Sequence, residues 1–102
     1  MNLIQSNFSK VSWLRWSDMS VLTVGGLVFS SDPRLLINVT QLSPSTISWK
    51  LYITNVSALD SGDYQCQINT EPKQSLDITL LVTGKTIFEL FGVLKTLLPE
   101  IS

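Results

Sequence analysis

A chain of 102 residues holds one cysteine, Cys66, and no histidine. One cysteine excludes an internal disulfide, and the missing histidine removes both a Cys/His catalytic dyad and the usual nitrogen ligands of a zinc site. Serines and carboxylates alone do not assemble a nucleophile with its base, so no enzyme is expected, and no cofactor or metal with it. Charge is scarce as well. Charged residues make up 15% of the chain, against about a quarter in ordinary globular domains. Seven basic and eight acidic residues leave a net charge of −1, with no basic cluster of the kind that neutralises phosphates, which argues against nucleic-acid binding. No apolar run reaches the roughly 18 residues of a membrane span, because Glu89 and Lys95 interrupt the most apolar segment. The opening "MNLIQSNFSK" lacks the apolar stretch of a secretory signal.

What is present is apolar and β-branched. Hydrophobic residues make up 44% of the chain, enough for one core in a chain of single-domain length. From 11 to 83 the pattern has the period of strands: "VSWLRW" (11–16), "SVLTVG" (20–25), "LVFS" (27–30), "RLLINVT" (34–40), "TISWKLYIT" (46–54), "GDYQCQINT" (62–70) and "SLDITLLVT" (75–83). Turn residues separate them, at "GG" 25–26, "SDP" 31–33, "SPS" 43–45, "DSG" 60–62 and "TEPK" 70–73. Seven short strands at this spacing predict an all-β sandwich or barrel. Alternation gives "ISWKLYI" one packing face of Ile47, Trp49, Leu51 and Ile53, and in "GDYQCQI" it sets Tyr64, Cys66 and Ile68 against Asp63, Gln65 and Gln67.

After Gly84 the period changes. "TIFELFGVLKTLLP" (86–99) places Ile87, Phe88, Leu90, Phe91, Leu94, Leu97 and Leu98 on a broad helical stripe, with Thr86 and Glu89 as a capping box and Pro99 as a stop. The spacing predicts an amphipathic helix over 86–98, appended to the β unit.

The run "DSGDYQC" at 60–66, taken with Trp13 and Arg34, resembles a V-type immunoglobulin domain. The segments "KVSWLRWSDMSVLTVG", "SDPRLLI" and "SWKLYITNVSALDSGDYQCQINTEPKQSL" narrow the resemblance to the first immunoglobulin domain of the insect defective-proboscis-extension-response (Dpr) family, and they are similar to the Dpr-interacting proteins. "CQINTEPK" at 66–73 is the most telling part, and the likeness runs over residues 10 to 83.

That resemblance implies roles for particular residues. Trp13 fills the core against the inter-sheet disulfide, Tyr64 forms the tyrosine corner, and Cys66 is the second half-cystine. With Trp49 these make up the expected structural core, while Arg34 and Asp60 pair as ions at one end of the sandwich. The resemblance also implies recognition of a related immunoglobulin domain, of the Dpr-interacting type, through the sheet of strands G, F, C, C′ and C″. On that face alternation puts Leu14 and Trp16 of strand C with Gln65, Gln67 and Asn69 of strand F. Leu22 and Val24 of strand C′ join them as partner-binding candidates, the parity of that strand being open. An apolar centre rimmed by amides suits recognition rather than catalysis.

In that frame strands A and B, with the first cysteine, would precede Met1. The expected architecture is therefore an incomplete V-type sandwich at 11–83, a remnant segment at 1–10 and a non-family tail at 84–102. The tail's apolar stripe is expected to fold back over the open core. Cys66 reads either as a redox or metal thiol or as an orphaned half-cystine that behaves as a small buried hydrophobe, and the missing histidine favours the second. Sequons at Asn7, Asn38 and Asn55 point to a glycoprotein. The expected function is cell-surface recognition or adhesion, as between neuronal synaptic partners; the alternative is a truncated splice or gene-model product without a function of its own. The parent family acts outside the cell, and this chain has no membrane span of its own.

Overall fold

The computed structural model describes residues 11–70, 72–83 and 88–95. Two sheets face each other across one core. The first holds five strands in the order β3-β2-β1-β6-β7 and the second three in the order β4-β5-β8, and every neighbouring pair is antiparallel. The strands are β1 (Val11–Arg15), β2 (Ser20–Val24), β3 (Leu27–Val28), β4 (Leu35–Ser43), β5 (Thr46–Ile53), β6 (Gly62–Ile68), β7 (Gln74–Leu80) and β8 (Phe88–Lys95). A 3₁₀ turn, Ala58–Asp60, bridges β5 and β6.

The apolar alternation sets which faces meet. On β5, Ile47, Trp49, Leu51 and Ile53 are all buried, and across the core they confront Trp13 of β1 with Tyr64, Cys66 and Ile68 of β6. Trp13 and Trp49 have no solvent exposure, and burying each ring stabilises the sandwich by about 2 to 3 kcal/mol. The same layering turns the other face of β1 and β6 outward.

Two loops show why particular residues stand where they do. Gly25 and Gly26 alone join Val24 to Leu27, and Gly25 takes a φ of 58°, as a glycine-first two-residue hairpin requires. At the start of β6, Gly62 adopts a φ of 144°, which side-chain-bearing residues rarely reach. That glycine lets the chain leave the 3₁₀ turn and enter β6 directly.

The expected helix at 86–98 is not there: Phe88–Lys95 is β8, paired along all eight residues with β5. Its register sets Phe88, Leu90, Gly92 and Leu94 opposite Ile53, Leu51, Trp49 and Ile47, the four core positions of β5. A strand wins for two reasons. Without a neighbour on this side, β5 would present a row of unpaired N–H and C=O groups beside the core, and only an extended segment satisfies them all. Gly92 also costs a helix interior about 1 kcal/mol relative to alanine. In a near-continuous apolar run, helical and strand periods cannot be told apart by pattern alone. In the immunoglobulin layout strand B lies beside strand E, and here that position next to β5 is filled from the chain's C-terminal side. The proposed capping residue Thr86, the stop at Pro99 and the segment 1–10 lie outside the described residues.

Candidate recognition face

The outward face of the five-stranded sheet is built by register. Leu14 of β1 stands opposite Gln65 of β6 on one side and Val21 of β2 on the other, and Ser12 stands between Gln67 and Val24. Val24 in turn faces Leu27 across the hairpin. One continuous row therefore runs Leu27, Val24, Ser12, Gln67 and, on β7, Ser75. Trp16 follows β1 and is 44% exposed, tied by its backbone N–H to the carbonyl of Asp63 at 3.0 Å.

Hydrogen bonds hold the amides of this face in place. Gln67 Nε2 donates to Gln65 Oε1 at 2.7 Å, and Gln65 Nε2 donates to Asp77 Oδ1 at 2.9 Å. The chain of bonds fixes both glutamines across β6 and β7 at a small entropic cost on binding. A depression of about 590 Å³ lies over them, with Trp16 at one side and Asn69 and Lys73 at the other. Its lining mixes the Trp16 indole and the Ile68 side chain with amides, hydroxyls and the Lys73 ammonium.

Not every candidate residue reaches this face. Leu22 is 1% exposed and belongs to the core, which corrects its expected place beside Val24. The cause is a β-bulge: Trp13 pairs with Thr23 but Leu14 pairs with Val21, so Leu22 is the extra residue on β2. Its carbonyl accepts from the N–H groups of Phe29 and Ser30, and Thr23 Oγ1 turns inward to accept from Trp13 N at 3.1 Å. Leu14, Trp16, Val24, Gln65, Gln67 and Asn69 share the outward side, with Leu14 and Gln65 half-buried. Sequence reasoning missed Leu27, 74% exposed. The "GG" pair held the signal, since a two-residue hairpin makes its flanking residues face the same way.

At one end of the sandwich an ion cluster locks loops together. Arg34 donates from Nη1 and Nη2 to Asp60 at 2.8 and 2.9 Å, and from Nε and Nη2 to Asp32 at 3.1 and 2.8 Å. Asp60 also caps the 3₁₀ turn by accepting from Ser57 N, and its carbonyl accepts the Tyr64 hydroxyl at 2.6 Å. These bonds from Arg34 hold the Asp60 carboxyl below the usual carboxylate range, and do the same for Asp32. Asp32 joins the pair that the sequence suggested.

Cys66 stands opposite Trp13 and is fully buried as a free thiol. Burial alone pushes its pKa up to about 12, so thiolate is negligible near neutral pH and the side chain acts as a small apolar filler. No helix among the described residues is long and apolar enough to cross a membrane.

No protein-family model matches the chain. Among curated proteins it is 35% identical over 60 residues to the zwei Ig domain protein zig-8 of Caenorhabditis elegans, covering 59% of this chain and 21% of that protein. The chain thus spans about a fifth of that relative's length. Among solved structures, the Dpr11 IG1 domain bound to DIP-gamma matches with a TM-score of 0.63 and 42% identity, covering 72% of this chain and 73% of the other. The Dpr1 IG1 domain bound to DIP-eta matches with a TM-score of 0.63 and 43% identity, covering 72% and 67%. The ZIG-8–RIG-5 IG1 heterodimer matches with a TM-score of 0.63 and 32% identity, covering 72% and 61%. Shared layering and sequence identity above 40% over most of a single-domain relative lead to one assignment: the chain belongs to the Dpr family of immunoglobulin domains.

Proposed function

We propose that this chain is a cell-surface recognition module that binds a related immunoglobulin domain of the Dpr-interacting type through the outer face of β3, β2, β1, β6 and β7. One observation carries the reading. Within a charge-poor sheet, exposed apolar residues (Trp16, Val24, Leu27) adjoin two glutamines already immobilised by hydrogen bonds. Such a surface offers an aromatic anchor and pre-ordered polar partners, the make-up of an interface core and rim. Relatives of the same fold supply the partner class, since Dpr11 IG1 and Dpr1 IG1 are seen bound to DIP-gamma and DIP-eta. The working surface comprises Leu14, Trp16, Val24, Gln65, Gln67 and Asn69, to which Leu27 is added. Residues 11–83 form the recognition unit, with β8 completing its second sheet.

Surface plasmon resonance of the full chain against a panel of such domains tests this. Leu14→Asp or Trp16→Asp should weaken binding at least about thirtyfold, the loss of one hot-spot anchor. Lys50→Gln, on the other sheet, should leave affinity unchanged. Absence of binding to every panel member, with the fold intact by circular dichroism, would sink the reading.

A further inference from the structure

We infer that Asn38 carries an N-linked glycan, and that this glycan guards the exposed edge of the second sheet. β4 is an edge strand, paired among the described residues with β5 alone. Its sequence "LLINVTQLS" contains no charged residue, no proline and no glycine. Edge strands of this length and composition invite pairing with another chain, and natural proteins blunt them with charge, proline or a covering group. Neither charge nor proline is present on β4, and its one bulge, between Gln41 and Ser43, leaves Leu35 to Gln41 in regular register. Its solvent side carries Leu36 at 55% exposure and Leu42 at 60%, and between them stand Asn38 and Thr40, both exposed.

Those two residues form the sequon "NVT" at 38–40. In the folded chain Thr40 Oγ1 donates to Asn38 Oδ1 at 2.7 Å, so both polar groups of the sequon lie together on the open side of the strand. A sugar there meets no protein wall, because Asn38 pairs with Lys50 on a sheet whose other face forms the core. It also lies on the opposite sheet from Trp16 and Gln65, leaving the recognition face clear. The chemistry is ordinary glycosyl transfer. The Asn38 amide nitrogen bonds the anomeric carbon of a lipid-pyrophosphate-linked oligosaccharide, the carbon–oxygen bond to the pyrophosphate breaks, and the amide gives up one proton. The attached chain then covers Leu36 and Leu42 and denies the β4 edge to a second strand.

This inference rests on the recognition reading in one respect, passage through the secretory pathway. The test uses the full chain expressed behind a secretion signal in cultured mammalian cells. Glycopeptide mass spectrometry should find Asn38 occupied, lost in Asn38→Gln and Thr40→Val and retained in Thr40→Ser. Analytical ultracentrifugation should then find Asn38→Gln shifting to species of dimer mass or larger as concentration rises. Asn38→Lys, equally unglycosylated, should stay monomeric, because a charge replaces the sugar as edge guard. A bare Asn38 in the secreted wild-type chain overturns the site, and an Asn38→Gln protein that stays monomeric at every concentration overturns the guarding role. Partner binding through Trp16, measured on the same samples, reports on the recognition reading separately.

Discussion

Arg34 is the residue on which the bottom of the sandwich depends, since one guanidinium serves two carboxylates that come from different loops. The Asp60 side chain is 8% exposed while Arg34 is 28% exposed, so removing the arginine strands a nearly buried charge next to a partly wet site. Replacing Arg34 by methionine should cost about 2 kcal/mol at neutral pH, less than the full 3 to 5 kcal/mol for a fully buried pair because solvent screens part of the interaction. The cost should depend on pH in a definite direction. Asp60 and Asp32 both titrate below their ordinary values in the folded chain, first because of the Arg34 hydrogen bonds. Their contribution is complete above the unfolded value of about 3.9 and is lost as the pH falls through the lower folded values. Denaturant unfolding of wild type and Arg34→Met should therefore differ by about 2 kcal/mol at neutral pH and converge as the pH falls through the lowered folded values. An unchanged gap in acid would assign the loss to packing of the arginine stem instead.

At the level of elements, β8 is where physics outside the local sequence decides the outcome. Its eight pairs with β5 complete the backbone hydrogen bonding of the strand that carries Trp49. Ending the chain at Gly84 should open that edge, lower the melting temperature by more than about 5 °C and speed hydrogen exchange in β5. If the truncated chain melts with the wild type, β8 is dispensable. The seven strands before it were legible because their polar and apolar residues alternate and turn residues punctuate them. β8 was not legible, because its apolar run satisfies a helical stripe equally well and only the unpaired edge of β5 discriminates. The placement of the outward-facing candidates was legible in the same uneven way. Leu14, Gln65 and Gln67 follow from simple alternation, whereas Leu22 is turned inward by a bulge that leaves no mark in its own residue type. The ion cluster was half legible: Arg34 and Asp60 belong to a recognisable pattern, while Asp32 enters through a loop contact two residues away from Arg34.

For the molecule as a whole, scarcity of charge governs how it meets a partner. With 15% charged residues and a net charge of −1, the chain has little long-range field to steer an approaching domain. On the proposed recognition face the acidic Asp77 is already engaged by Gln65, and Asp63 accepts from Thr79 at 2.7 Å. Arg15 and Asp18, at the β1–β2 turn, satisfy each other at 2.9 Å. Lys73 at the rim of the depression is a further exposed charge, so in the proposed complex affinity comes mainly from apolar burial around Trp16, Val24 and Leu27 and from the fixed amides of Gln65 and Gln67. Apolar burial is insensitive to screening by salt, unlike interactions between exposed charges, which fade beyond a Debye length of about 8 to 10 Å. Raising sodium chloride from roughly 0.05 to 0.5 M should change the dissociation constant of a partner complex by less than about threefold, with the association rate almost unaffected. Gln65→Ala should weaken the complex and leave its salt dependence unchanged, because it frees Gln67 and Asp77 from their amide partner without altering the net charge of the face. A tenfold or greater loss of affinity over the same salt range would mean that charge pairs, not the apolar and amide surface described above, hold the two domains together.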